Sequence, residues 1–546
     1  MNNKSLNTIL LFSLFFTISP AWSCTNLLIT KGASSDGSVM ITYTCDGEFH
    51  PRLRHTPAQD HTPDEPYLIQ TWGGKTLGQI PQPEHTYAVY GLMNENQVAI
   101  AETTFDGRLE LQNKESLLHY WELMKLALQR SKTAREAIHV ITTLVEEYGY
   151  RSTGESFSIA DKEEAWIMEM IGKGPKNKGA VWVAVKVPDG KIAAHANAAR
   201  IGTFPMDDPE NCLYAKDVVS FAVEKGIYDP KKGEPFRFNE AYCPVTPQKL
   251  RYTETRVWSL FRRSAPSQNF PEEFHRGKEG ASRYPLWIEP DQKLSLSDVM
   301  SLMRDHYEGT AYDMTKGVDA GPFNTPNRWR PMNWRVEGKD DDYTWERPIS
   351  TQQTGFSFIS QSRSFLPDPI GGVFWYGLDD TYTTVYMPFY CGVDQVPETL
   401  STGSLSQFDR DSAWWVFNYV ANIANLKYSY MIKDIQKVQS ALEGDFLEKQ
   451  PVVEKIAMDL YKTNPELMQR YLTDYSVSHS ETVVKKWLEL GDFLMTKYND
   501  GYIQNERHNP QEVSYPAEWL KKVLESRPEQ FKLPKRKQEL ETKLSY

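Results

Sequence analysis

Cys24 is the residue whose chemistry stands out. It follows Ala21-Trp22-Ser23, which closes a polar start carrying Lys4 and a ten-residue apolar run from Ile9 to Ile18. A charged start, a short apolar run and small residues at Ala21 and Ser23 form the pattern of a secretory leader, residues 1–23, cut after Ser23. The run is too short to span a bilayer, which takes about 20 apolar residues. Cleavage would make Cys24 the first residue. A thiol attacks as thiolate, and a free cysteine has a pKa of about 8.5. An α-amine titrates at about 7.7 to 8.0, far closer to neutrality than a lysine. Cys24 would then carry nucleophile and general base together. The amine could take the thiol proton and return it to a leaving amine, the chemistry of amide hydrolysis. Two other readings stay open on these residues alone. Cys24 could be structural, or it could be the modified first cysteine of an exported binding lipoprotein without catalysis. Trp22 fits the second badly, because lipoprotein leaders favour small residues there.

The elements that must position Cys24 are legible as periodicity. Residues 24–30 and 38–44 read as strands around a turn at 31–37. A second pair is expected at 86–92 and 97–102. Two amphipathic helices follow, at 114–130 and 133–148. Strands resume at 156–160, 165–170, 181–187 and 192–196. Strand pairs, two helices and more strand pairs suit an α+β fold, two stacked antiparallel sheets with helices outside: a four-layer αββα sandwich. Residues 204–350 are rich in Pro, Asp, Arg and aromatics, with few helices, such as 295–305. Strands return at 355–361, 371–376 and 381–387. The chain is then mostly helical, at 414–442, 452–462, 464–475 and 482–497. The expected division is a leader at 1–23, one hydrolase domain at 24–400 and a helical region at 401–546 packed on it.

The formal net charge of −11 argues against nucleic acid as a partner. No segment after the leader reads as membrane-spanning, so no stable membrane insertion is expected once the leader is removed. Five cysteines leave an odd thiol in an oxidising compartment. None forms a C-x-x-C, and H-E-x-x-H and G-x-S-x-G are missing too. His50, His55 and His61 lie among prolines and arginines and read as a surface loop. No metal and no cofactor is expected.

The segment CTNLLITKGASSDGSVMITYTCDG resembles the mature start of the PepD-like cysteine dipeptidases. More distantly it resembles penicillin V acylase and bile salt hydrolase, which are N-terminal-nucleophile hydrolases. GLMNENQVAIAET, ANAARIGTFPMDDPENCLY, TRVWSLFR, YDMTKGVDAGPF and VFWYGLDDTYTTVYMPFYCG add to the likeness, which covers nearly the whole chain after Ser23. It implies the N-terminal-nucleophile sandwich and a peptidase acting on dipeptides or short peptides. It points to Cys24 as nucleophile and to Asp46 as the aspartate orienting it. Asn197 matches a residue that steadies the oxyanion. Arg256 matches an active-site arginine, and Thr104 falls where related acylases place a further oxyanion residue. Turn-capping, structural and salt-bridge roles are the other readings of these side chains. Tyr43 stands where related enzymes carry an arginine. Another amidase activity, on N-acyl amino acids or bile-acid conjugates, is the alternative. Export is expected to end in the periplasm or outside the cell.

Overall fold

The computed structural model describes residues 23–533, apart from 506 and 508. Residues 1–22 of the expected leader lie outside the described residues. Two antiparallel sheets dominate the fold. Their longer strands are β1 (Asn26–Ile29), β2 (Val39–Asp46), β3 (Ala99–Asp106), β4 (Gly154–Ala160), β5 (Ala165–Gly172), β6 (Ala180–Lys186), β7 (Ile192–His195), β8 (Thr354–Ser362), β9 (Val373–Leu378) and β10 (Met387–Tyr390). The first sheet has seven strands, in the order Trp287–Ile288, β7, β1, β2, β8, β9, β10. The second has eight, in the order Cys212–Tyr214, β6, β5, β4, β3, Met93–Asn94, Val89–Tyr90, His55–Thr56.

Every residue of β1, β2, β4 and β5 is buried. Strands like these need cover on both faces, and the other sheet supplies one of them. β1 meets β3, and β2 meets β3, β4 and β5. The outer face of the eight-stranded sheet is covered by α1 (Tyr120–Arg130) and α2 (Ala134–Tyr148). Leu123, Leu126, Ile138 and Ile141 from these helices pack with Ile100, Phe157 and Trp166. Thr133 caps α2 by accepting from Glu136 N, which fixes where that helix begins.

On the other side, α3 (Pro247–Ser264) lies along β7. The longest of the later helices are α4 (Ala413–Ala424), α5 (Tyr428–Thr463) and α6 (Pro465–Lys497). α4 rests on β9, and α6 rests on β10 and α4. Phe417 stacks on Trp487 with ring centroids 5.0 Å apart, and both belong to the same core as β1 and β2. Full burial of one large apolar side chain contributes about 1.5–3 kcal/mol.

Several expectations shift. The first helix starts at Tyr120 rather than 114, because Ser116 N donates to Asn113 O and the chain turns there. The strand expected at 381–387 is displaced to β10. Asp380 accepts from Tyr382 N, which makes 380–383 a turn. The helices expected at 414–442 and 452–462 divide differently: α4 ends at Ala424, and α5 runs through Pro451. α3 is an element the periodicity did not yield. All five cysteines are free and buried.

Candidate active site

Cys24 sits where β1 begins, against the end of β2. Thr25 pairs with Thr44 through Thr44 N to Thr25 O at 3.1 Å and Thr25 N to Thr44 Oγ1 at 3.0 Å. One residue earlier, Ser23 N donates to Asp46 O at 3.2 Å. The start of the described chain is therefore clamped to β2 by its backbone. Cys24 is fully buried, and burial is the first cause that pushes its thiol well up. A hydrogen bond to Cys45 and the charge of Glu102 add to that.

Asn197 follows β7 with φ of 60°. Asparagine is among the few residues that adopt this left-handed conformation readily. The turn brings Asn197 Oδ1 to Cys24 N at 2.9 Å. Asn197 Nδ2 donates to Thr104 O at 2.7 Å. α3 brings Arg256 to the same point. Its Nη1 donates to Cys24 O at 2.5 Å and Thr25 Oγ1 at 2.8 Å. Its Nη2 donates to Asn197 Oδ1 at 2.9 Å and Ala196 O at 3.3 Å, and its Nε to Tyr252 O at 2.8 Å. All five guanidinium hydrogens are thus used. Burial, then the charge of Arg347, brings its pKa down to about 9. Asn197 and Arg256 together fix both backbone ends of Cys24.

Asp46 ends β2, and its carboxylate accepts from Thr354 Oγ1 at 2.6 Å and Thr44 Oγ1 at 3.2 Å. It also pairs with Arg347, which donates to Ser23 O at 2.8 Å. Asp46 therefore reaches the Ser23–Cys24 junction through Arg347 and its own backbone. Thr104 contributes its carbonyl, which holds Asn197, while its hydroxyl donates to Glu155 at 3.2 Å. Tyr43 lies with its hydroxyl 3.9 Å from Cys24 Sγ. It donates a short hydrogen bond to Glu102 Oε1, which itself is 3.7 Å from the sulfur.

The other four residues expected from the sequence, Asp46, Asn197, Arg256 and Thr104, thus gather around Cys24, Asp46 and Thr104 partly through backbone groups. Three that were not expected join them: Glu102, Glu155 and Arg347. The signal for Glu102 and Glu155 was an acid inside a buried strand. Arg347 lies in an irregular stretch that offered none. His195 is held between Thr103 Oγ1 at 2.7 Å and Ser158 Oγ at 2.8 Å. Burial brings its pKa down to about 3, too low for a general base near neutrality.

A cleft of about 210 Å³ opens over this cluster, lined by Ser23, Thr104, Asn197, Lys249, Tyr252 and Arg256. Ser23 lies between the cleft and the buried Cys24. A larger cleft of about 570 Å³, with His55, His85, Lys132 and Cys391 in its walls, contains none of these groups. Among the described residues, no group of His, Cys, Asp and Glu could hold a metal ion, and no helix is long and apolar enough to cross a membrane.

Residues 23–441 match peptidase family C69, and the chain belongs to that family. It is 26% identical over 428 residues to a probable dipeptidase of Latilactobacillus sakei, covering 74% of this chain and 82% of the relative. It is likewise 26% identical over 395 residues to a probable dipeptidase of Salmonella dublin, covering 68% and 81%. Dipeptidase A of Lactobacillus helveticus is 24% identical over 497 residues, covering 86% and 95%.

Proposed function

We propose that the protein is an exported cysteine dipeptidase of the N-terminal-nucleophile class, with Cys24 as nucleophile and its own α-amine as base. The observation that carries this reading is the grip on Cys24. Asn197 Oδ1 accepts from its nitrogen and Arg256 Nη1 donates to its carbonyl, beside a cleft from which Ser23 separates Cys24. Loss of residues 1–23 would convert that nitrogen into an amine already held in place and would open the cleft onto the sulfur. The two facing sheets with helices outside suit the four-layer sandwich of this class. The names of the relatives support dipeptides as substrates.

In the reaction, the neutral amine of Cys24 takes the proton of Sγ, and the thiolate attacks the scissile carbonyl carbon. In this reading the amide of Asn197 steadies the oxyanion that develops. The ammonium of Cys24 then gives its proton to the departing nitrogen, the C–N bond breaks and a thioester remains. Water attacks the thioester with the amine again as base. The sum is one dipeptide and one water giving two amino acids.

The test follows hydrolysis of a dipeptide set by the mature protein. Cys24→Ser should cost at least about 100-fold in turnover. Iodoacetamide should abolish activity with its label on Cys24, and activity should persist in strong chelator. If dipeptides are inert while N-acyl amino acids are cleaved, the protein is an amidase of the same class instead. Activity lost to chelator and restored by zinc would contradict the thiol mechanism.

A further inference from the structure

Glu102 is out of place if its only task is to help the thiol. It is fully buried on β3, with Oε1 3.7 Å from Cys24 Sγ. A negative carboxylate at that distance opposes thiolate formation, since like charges disfavour each other. The group nonetheless has the surroundings of a charge-bearing carboxylate. The Tyr43 hydroxyl donates to Oε1. The Glu155 carboxyl is hydrogen-bonded to it, and burial pushes both acids up. Two carboxyls joined by a hydrogen bond share one proton, so the pair carries one negative charge between them. Among the described residues no Lys, Arg or His pairs with Glu102, and apart from that acid its Oε2 has no hydrogen-bond partner. A buried charge without a cation costs several kcal/mol. Among the described side chains, none supplies the positive group that such a charge calls for.

A dipeptide carries such a group at a fixed place. Its α-nitrogen is two bonds from the scissile carbonyl carbon, about 2.5 Å away. A thiol attacks that carbon from about 3–3.5 Å. The free α-ammonium must therefore lie within about 3–5 Å of the sulfur during attack. A carboxylate oxygen 3.7 Å from Cys24 Sγ is within hydrogen-bond reach of that volume.

We propose that Glu102, oriented by Tyr43, receives the free α-ammonium of the substrate's first residue and so restricts the enzyme to peptides with an unblocked N-terminus. The inference rests on the dipeptidase reading of Cys24. It also gives the unfavourable carboxylate a use. The incoming ammonium neutralises Glu102 as it binds, so the thiol meets a hostile charge only while the site is empty. An N-acylated substrate leaves that charge in place and buries it against a neutral amide.

The experiment compares L-alanyl-L-alanine with its N-acetyl derivative on the mature enzyme and on Glu102→Gln. Wild type should prefer the free dipeptide by at least about 100-fold in kcat/KM, the range for stranding one partner of a buried charge pair. In E102Q the free dipeptide should lose at least about 30-fold, mostly in KM, while the acetylated one changes little, so the preference collapses. The pH at which iodoacetamide labelling of Cys24 reaches half its maximal rate should fall in E102Q, whereas looser packing would raise the rate at every pH without moving that midpoint. Glu102→Asp, which keeps the charge but withdraws it by one methylene, should fall between the two and guards against a misfolded glutamine variant. Tyr43→Phe, which leaves the carboxylate but removes the hydrogen bond that orients it, should keep only part of the preference, more than E102Q does. An E102Q enzyme that keeps the full preference, or one that loses both substrates equally, overturns the assignment of Glu102 while leaving the dipeptidase reading intact. A wild-type enzyme that cleaves neither substrate overturns the dipeptidase reading itself.

Discussion

Asn197 carries two constraints at once, and they can be separated. Its side chain ties Cys24 N to Thr104 O, and its backbone sits at φ of 60°. Asn197→Ala removes the tie and also the polar side chain that makes this conformation tolerable, leaving a strain of about 1–2 kcal/mol. Asn197→Gly removes the tie without that strain. Both variants should lose at least about 100-fold in turnover. Thermal melts should find the glycine variant the more stable by about 1 kcal/mol. Equal stabilities would mean that the backbone is not strained there. At this scale the sequence was informative where a residue stood in a specific motif. Cys24, Asn197 and Arg256 meet directly, while Asp46 and Thr104 act partly through backbone groups. Glu102 lies in a strand buried on both faces, so alternation gave no hint of which sheet it faced. Arg347 reaches Asp46 across 301 positions of chain, a pairing that only folding creates.

One element that sequence periodicity missed is α3, and its buried polar residues are the reason. Leu250, Val257, Leu260 and Phe261 are buried, but so are Thr253, Glu254 and Arg256. The polar residues break the apolar stripe because this helix delivers Arg256 to Cys24. Its Thr246 cap and Pro247 start were legible signals. A second element-level feature lies just after β9. Asp379 is buried, accepts from Asn418 Nδ2 of α4 at 3.0 Å, and has φ of 63°. Burial raises its pKa to about 8. In the unfolded chain it would titrate at about 3.9. Its contribution to stability is complete below about pH 4, where both states hold the proton. It declines as pH rises toward about 8, because only the native state still holds that proton. Asparagine mimics the protonated acid and accepts the same φ. Melting curves at pH 5 and pH 9 should therefore show Asp379→Asn gaining on wild type as pH rises. Parallel pH dependences would remove Asp379 as the source.

Over the whole molecule, α4 to α6 share one apolar core with the seven-stranded sheet, through Phe417, Trp487 and Leu494. The chain should accordingly melt in one transition, and a chain ending at Ser401 should fail to give folded protein. Two separated calorimetric transitions would show that the helical region is independent. The proposed maturation belongs to this scale as well. Removal of 23 residues leaves 546 − 23 = 523, and intact mass should show a free, unlipidated amine on Cys24. A diacylglycerol adduct there would end the amine mechanism. The central claim is that this amine is the base. It is tested most directly by dipeptide turnover in two forms, one beginning at Cys24 and one with a single Ala fixed before it. The thiol is present in both, but in the second the Cys24 nitrogen is an amide and the nearest amine lies about 3.8 Å further along the chain. Loss of one positioned acid/base group costs about 100- to 10,000-fold. The account predicts a folded Ala-extended enzyme slower by at least about 100-fold. Retention of more than about a tenth of the turnover would contradict it.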